Sequence, residues 1–187
     1  MLNKDKYNII YADPPWSFNN KKTGGSMNSG AESQYDVMSA TDIAKLDVAS
    51  VAADDCVLVM WWVGSQPQEA LDLVKAWGFK LKTMTGFVWC KKTVKGNPFF
   101  GMGFWTRAGA ECCLIATKGK PKPLSHGVRS VIGAVAGRHS EKPSEVRDAV
   151  VELCGDLPRL EMFARTAPEG WDVFGNEIEG SITIPIK

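Results

Sequence analysis

Apolar positions along this chain alternate between short runs and helical stripes, with proline and glycine marking where each ends. The run Tyr7–Ala12 stops at Asp13-Pro14-Pro15, which predicts a buried strand, because proline lacks the N–H that would continue a ladder. Residues 17–34 are polar and rich in Gly, Ser and Asn, with Gly24-Gly25-Ser26 near the middle. This is a loop long enough to act as a lid. Thr41 reads as the N-cap of a helix running to about Ala53. Residues 56–63 predict a second buried strand. Ala70, Leu71, Val74 and Trp77 make one stripe of a helix over 66–77, which Gly78 ends. Residues 79–89 read as extended, either one strand or two broken at Gly86. A basic, aromatic loop over 91–109 leads to a strand at 111–117, then a loop with Pro121 and Pro123, and a short strand at 131–135. The helix over 143–154 has Pro143 near its first turn and Val146, Ala149, Val150 and Leu153 at helical spacing. Residues 159–164 and 171–174 supply the last strands. Strands alternating with helices predict an α/β fold with a mostly parallel central sheet and helices on both faces. In such sheets ligands bind outside the carboxyl ends of the strands.

Composition narrows the class. The chain has 187 residues, 44% hydrophobic and 23% charged, as expected of one globular domain and not of a disordered, collagenous or coiled-coil chain. Neither a repeat nor a linker interrupts it. The longest apolar stretch, 56–63, falls well short of the roughly 20 residues of a membrane span. The first ten residues lack the apolar centre of a signal peptide. The cysteines, at 56, 90, 112, 113 and 154, form no Cys-x-x-Cys pair, and there are two histidines, His126 and His139. The expectation is a cytoplasmic protein in a reducing compartment, with no metal site and no membrane contact. Neither G-x-G-x-x-G nor G-x-x-x-x-G-K-[ST] occurs, which removes the usual dinucleotide and P-loop phosphate sites.

Charge is segregated although the net is only +1. Residues 75–142 carry thirteen Lys and Arg against Glu111 and Glu141, a balance of +11, while the segments on either side are each at −5. A central basic block predicts one face for a polyanion. Trp89, Phe99, Phe100, Phe104 and Trp105 interleave with Lys91, Lys92, Lys95 and Arg107, the mixture that base stacking and phosphate pairing use. Solvated lysines at strand ends are the plainer alternative. Phosphate contacts are expected from Lys91, Lys92, Lys95, Lys118, Lys120, Lys122 and Arg129.

Asp13-Pro14-Pro15-Trp16, at the end of a buried strand, is the sharpest chemical signal. A given string of this rarity occurs in roughly one chain in a few thousand of this length. An exocyclic adenine amine is a poor nucleophile because its lone pair is delocalised into the ring. A carboxylate and a backbone carbonyl that accept both amine hydrogens would localise that pair toward an electrophile. Asp13 offers the carboxylate, the prolines stiffen the turn that aims the Pro14 carbonyl, and Trp16 offers a face for stacking or a wall. The alternative is a proline-ended strand whose Asp caps a turn and whose Trp fills the core.

The sequence resembles the DPPW-type adenine N6-methyltransferases, which include the catalytic subunit of the eukaryotic messenger-RNA adenosine methyltransferase and many bacterial and phage DNA enzymes. The likeness runs in order through residues 11–16, 35–39, the Trp61-Trp62 strand, Trp105 to Glu111, Lys118-Gly119, residues 140–143, 161–165 and Trp171 to Asn176. It implies a Rossmann-like methyltransferase fold of permuted order that uses S-adenosylmethionine, with the catalytic strand early and much of the cofactor site late. By the same resemblance Lys142 holds the methionine carboxylate. Phe163, Arg165, Asn176 and Glu177 line the cofactor, and Asp13 serves both the cofactor's amino group and the target amine. Tyr35 lies near the target base, and Glu111 matches an acidic position near the substrate. Glu177 stands where the messenger-RNA enzyme has Gln, and a carboxylate there can accept two ribose hydroxyls. Thr106-Arg107-Ala108 is similar to bacterial versions, which points to DNA over RNA. The expected reaction is direct transfer to a flipped adenine, with Lys91, Lys92 and Arg107 on the substrate side. With no separate recognition domain, short or relaxed specificity, a homodimer or a partner subunit is expected. A silent nucleic-acid-binding subunit and an unrelated small-molecule enzyme are the rival readings.

Overall fold

The computed structural model describes residues 6–16, 38–103, 105–137, 141–175 and 178–187. The predicted lid over 17–34, together with Tyr35, Phe104, His139, Asn176 and Glu177, lies outside the described residues.

The apolar run at the start forms β1 (Tyr7–Ala12), and its alternation feeds two cores. Ile10 and Ala12 face one, with Leu58 and Met60 of β2 (Ala52–Trp62) and Ala70, Leu73 and Val74 of α3 (Pro67–Ala76). Ile9 and Tyr11 face the other, with Val59, Trp61 and Val146 and Val150 of α4 (Ser144–Cys154). A strand buried on both faces reads as a continuous apolar run because neither face meets water.

Seven strands form one sheet in the order β5-β3-β4-β2-β1-β6-β7. The others are β3 (Lys80–Lys92), β4 (Ala110–Lys118), β5 (Val131–Val135), β6 (Arg159–Met162) and β7 (Asp172–Phe174). β4 is antiparallel to both its neighbours, β2 and β3, and every other pairing is parallel. This is an α/β sheet, mostly parallel, consistent with the S-adenosylmethionine-dependent methyltransferase fold. From β1 the chain moves outward on one side to β2, and later returns through α4 to β6 on the other side of β1. The crevice above β1 and β6 is therefore the switch point where strand order reverses, the place such sheets bind ligands.

One sequence expectation needs correction, and one open alternative is resolved. The helix expected over 41–53 is two short turns, α1 (Ala40–Ala44), capped by Ser39, and α2 (Val48–Val51), and β2 already begins at Ala52. The chain's C-terminal segment causes the break. Asp47 N–H donates to Pro185 O at 2.7 Å, Lys187 N–H donates to Lys45 O at 2.8 Å, and Leu46 bridges Ile186, so these backbone groups are diverted from helical pairing. Gly86 does not split β3. A Cβ there would lie 2.3 Å from Ile115 Cγ1, so the glycine serves close cross-strand approach within one irregular strand.

Candidate active site

Asp13 leaves β1 at its carboxyl end. Its N–H donates to Met162 O at 3.3 Å, extending the β1–β6 ladder by one step, and Pro14 then ends it. Trp16 N–H donates to Pro14 O at 2.8 Å, closing a tight three-residue turn. Trp16 Nε1 donates to Trp61 O at 3.1 Å. The Asp13 carboxylate is thereby held, half-buried, over the sheet.

β4 brings the second carboxylate. Because it runs against its neighbours, its amino end meets the carboxyl ends of β2 and β3. Trp62 pairs with Cys112, and Trp89 with Glu111, so Glu111 stands at the edge that Asp13 occupies. Lys142 comes from the residue before Pro143, the N-cap of α4. Its Nζ lies 2.9 Å from Asp13 Oδ2 and 3.4 Å from Glu111 Oε2. Lys91, near the end of β3, donates to Glu111 Oε1. The result is one alternating row, Asp13–Lys142–Glu111–Lys91.

The floor is aromatic. Lys142 Nζ is 5.4 Å from the centre of a Trp61 ring, and Lys91 Nζ is 4.9 Å from Trp89 and 5.9 Å from Phe99, distances at which a cation is held by the ring face. Trp61 Nε1 donates to the Tyr11 hydroxyl at 2.7 Å, fixing the indole from below.

Burial alone would raise the Glu111 carboxyl, but the Lys142 and Lys91 ammoniums outweigh it and hold the group below its ordinary value. Burial likewise opposes the Lys142 charge, and Asp13 with Glu111 overcomes it, so Lys142 stays protonated to higher pH than a free lysine. Burial pushes the thiol of Cys113, two residues from Glu111 along β4, well up, with the nearby Asp13 charge adding to it.

The remaining site residues described separate into two groups. Phe163, just past β6, has φ 62, a left-handed backbone uncommon for a bulky residue. Its ring meets Phe174 edge-on at 6.2 Å. Arg165 is half-buried on the same connection, which Gly175 closes. A Cβ on Gly175 would lie 2.2 Å from Ala164 O, and Ala164 N–H donates to Phe174 O at 3.0 Å. Arg107 lies on the β3–β4 connection, 5.2 Å from the Phe100 ring, away from the charged row.

Three of the expected residues sit outside the charged row. Trp16 is 6% exposed and belongs to the core, so it walls the turn and offers no stacking face. Strand alternation turns Lys92 away from Lys91, and its chain lies along Gly133 instead of entering the row. Lys118 donates to Ala49 O at 3.3 Å and Ala52 O at 3.1 Å. It sits at the far end of β4, roughly 23 Å from Glu111 at strand rise, and closes off α2.

Sequence reading missed the pair beside the crevice. Arg147 NH1 lies 3.1 Å from both Glu161 oxygens. Burial still raises the Glu161 carboxyl against Arg147's opposing pull. A carboxylate buried within the short strand β6 signals that it needs a buried partner, and Arg147 flanks the apolar stripe of α4.

No group of three or more His, Cys, Asp or Glu that could hold a metal ion occurs among the described residues, and no described helix is long and apolar enough to cross a membrane.

Comparison with known proteins gives concordant matches. The MT-A70 family model matches residues 7–177. The Type II methyltransferase M.MunI of a Mycoplasma species is 37% identical over 203 aligned positions, which take in 100% of this chain and 84% of that protein. An N(6)-adenosine-methyltransferase MT-A70-like protein of Drosophila melanogaster is 27% identical, covering 94% of this chain and 27% of its own length. The N6-methyladenosine RNA methyltransferase MTA1 of Pyricularia oryzae is 30% identical, covering 92% of this chain and 47% of its own.

Proposed function

Because this chain belongs to the MT-A70 family of adenine N6-methyltransferases, we propose that it transfers the methyl group of S-adenosylmethionine to N6 of adenine in DNA. The observation that carries the reading is the Asp13 carboxylate, held by Lys142 over the β1–β6 switch point at 2.9 Å. What supports the cofactor is the chemistry of the donor set: the Asp13 carboxylate matches an amino acid's ammonium, and the Lys142 ammonium matches its carboxylate. Phe163, Arg165, Asn176 and Glu177 would hold the nucleoside side. Bound S-adenosylmethionine supplies an electrophilic methyl group on a cationic sulfur.

The chain's own part is positioning and electrostatics. A carboxylate has two oxygens, so Asp13 keeps Lys142 on Oδ2 while Oδ1 accepts one amine hydrogen. The Pro14 carbonyl already takes the Trp16 N–H at 2.8 Å. Its second lone pair remains for the other amine hydrogen. With both hydrogens held, the nitrogen lone pair is directed away from the ring, and Asp13 stands at the proton that must leave. In duplex DNA the adenine has to swing out of the stack at a cost of a few kcal/mol, with Tyr35, Lys91 and Glu111 around the base. The basic segment favours a polyanion and gives binding a steep salt dependence.

DNA is favoured over RNA by the 37% identity to the type II methyltransferase across the whole chain. The 30% identity to an RNA methyltransferase makes RNA the second reading. The test is transfer from labelled S-adenosylmethionine to plasmid DNA and to transcribed RNA, followed by nucleoside digestion, with Asp13→Ala and Asp13→Asn alongside. The expected product is N6-methyladenine from DNA with wild type and at least a hundredfold less with either variant. Methylcytosine, or equal activity in both variants, would overturn the reading, and preferential labelling of RNA would move it to the second.

A further inference from the structure

The connection from β3 to β4 turns twice at the Lys91–Glu111 end of the charged row: a tight turn over 93–97 pairs Lys92 with Pro98, and residues 99–109 then form a hairpin. Lys91 N–H donates to Gly109 O at 2.8 Å, Phe99 N–H to Lys91 O at 3.0 Å and Gly101 N–H to Ala108 O at 2.9 Å. A Cβ on Gly101 would fall 2.1 Å from Ala108 O, and one on Gly103 would fall 2.1 Å from Thr106 O. The two limbs are therefore in backbone contact, which only glycine permits there. Toward the tip Phe100 is 76% exposed, Met102 67% and Trp105 99%. The Gly103–Thr106 approach places Trp105 in the bend that joins the two limbs, so the indole stands out on a narrow support.

An indole left wholly in water forgoes the burial of some 150–250 Å² of surface, and apolar residues grouped on one exposed element mark a contact surface. Charge selects the occupant. Residues 91–109 carry Lys91, Lys92, Lys95 and Arg107 and no acid. A two-fold contact with a second copy would set this surface against itself and oppose like charges, whereas a polyanion neutralises it. An adenine taken out of a duplex leaves a slot lined by two base faces, and a planar apolar side chain fills such a slot.

We propose that Trp105 is the wedge that enters the duplex where the target adenine has left, with Arg107 and Lys95 on the flanking phosphates. The proposal rests on the DNA adenine reading above and adds to it the element that keeps the base out. Phe100 holds the Arg107 guanidinium at 5.2 Å, which orients a phosphate contact beside the indole.

The experiment compares wild type, Trp105→Ala and Trp105→Phe on three substrates of one sequence: duplex DNA, the same duplex with abasic sites opposite the adenines, and the single strand. Abasic sites remove the pairing that opposes extrusion. Trp105→Ala is expected to lose at least tenfold in rate on duplex DNA and less than threefold on the other two, with Trp105→Phe close to wild type throughout. Equal loss on all three substrates, or no loss on any, overturns the wedge. So does conversion of a wild-type dimer to a monomer by Trp105→Ala in size-exclusion chromatography with light scattering, if the loss is equal on all substrates. Absence of wild-type adenine methylation on all three overturns the underlying reading instead, so the two failures are distinguishable.

Discussion

Lys142 Nζ sits 2.9 Å from Asp13 Oδ2, although 129 positions of chain separate the two residues. The contact ties the start of α4 to the end of β1 across the switch point. It also places the lysine that a methionine carboxylate would use against the carboxylate that a target amine would use. A lysine just before a helix N-terminus gains nothing from the helix dipole, so its two carboxylate partners are what keep it there.

Lys142→Met should leave Asp13 and Glu111 facing one another without the intervening cation. The expected outcome is at least tenfold weaker S-adenosylmethionine binding by calorimetry, the scale of a lost charge-assisted hydrogen bond at about 1.5–3 kcal/mol. Lys142→Arg should recover part of it. Unchanged affinity in Lys142→Met would remove the lysine from the cofactor site.

The same row sets a pH dependence of stability. The Glu111 carboxyl is held below its ordinary value near 4.5 because two ammoniums outweigh its burial. A carboxyl lowered on folding adds stability above its unfolded value, and that contribution is lost as pH falls through its folded value. Lys142 is raised above its ordinary 10.5, so its contribution is present below that value and is lost as pH rises through the folded one. Glu111→Gln should therefore lower Tm at neutral pH and converge with wild type in acid. A gap between the two that widens as pH falls below 4 would contradict the ion row.

The elements that position this row were legible where local signals were self-sufficient. β1 ends at Pro14, α3 at Gly78 with φ +82, and α4 begins after Pro143. Its parts were less so. Lys91 and Lys118 both lie at strand ends and look alike in sequence, yet one meets Glu111 and the other closes off α2. What separates them is the reversed direction of β4, a property of the whole sheet. The break between α1 and α2 was invisible for a related reason, since the groups that cause it, on Pro185, Ile186 and Lys187, arrive from the other end of the chain. Trp16 stayed open between wall, platform and core because a tryptophan beside a strand-end carboxylate reads equally as any of them, and only packing decides.

Gly175→Ala tests the connection after β7. Its Cβ would meet Ala164 O at 2.2 Å, and backbone on both sides leaves little to yield. Overpacking of this kind costs about 1–3 kcal/mol and should open the turn that carries Phe163 and Arg165. Urea unfolding should show the stability loss and calorimetry a weaker cofactor. Gly64→Ala is the control, since nothing lies within 4 Å of its Cβ. Equal effects from the two substitutions would mean that close approach is not why position 175 holds glycine.

Trp16→Ala separates packing from chemistry at the proline turn. The indole is 6% exposed and its Nε1 bonds Trp61 O at 3.1 Å, so the substitution should cost about 3–5 kcal/mol of stability by denaturant unfolding. Trp16→Phe keeps most of the volume and loses the hydrogen bond, leaving the Trp61 carbonyl without that donor, and should cost less. Because the ring faces the core, Trp16→Phe should keep its KM for DNA close to wild type once activity is corrected for the folded fraction. A tenfold rise in that KM with stability intact would return Trp16 to the substrate face and reverse the assignment made from its burial.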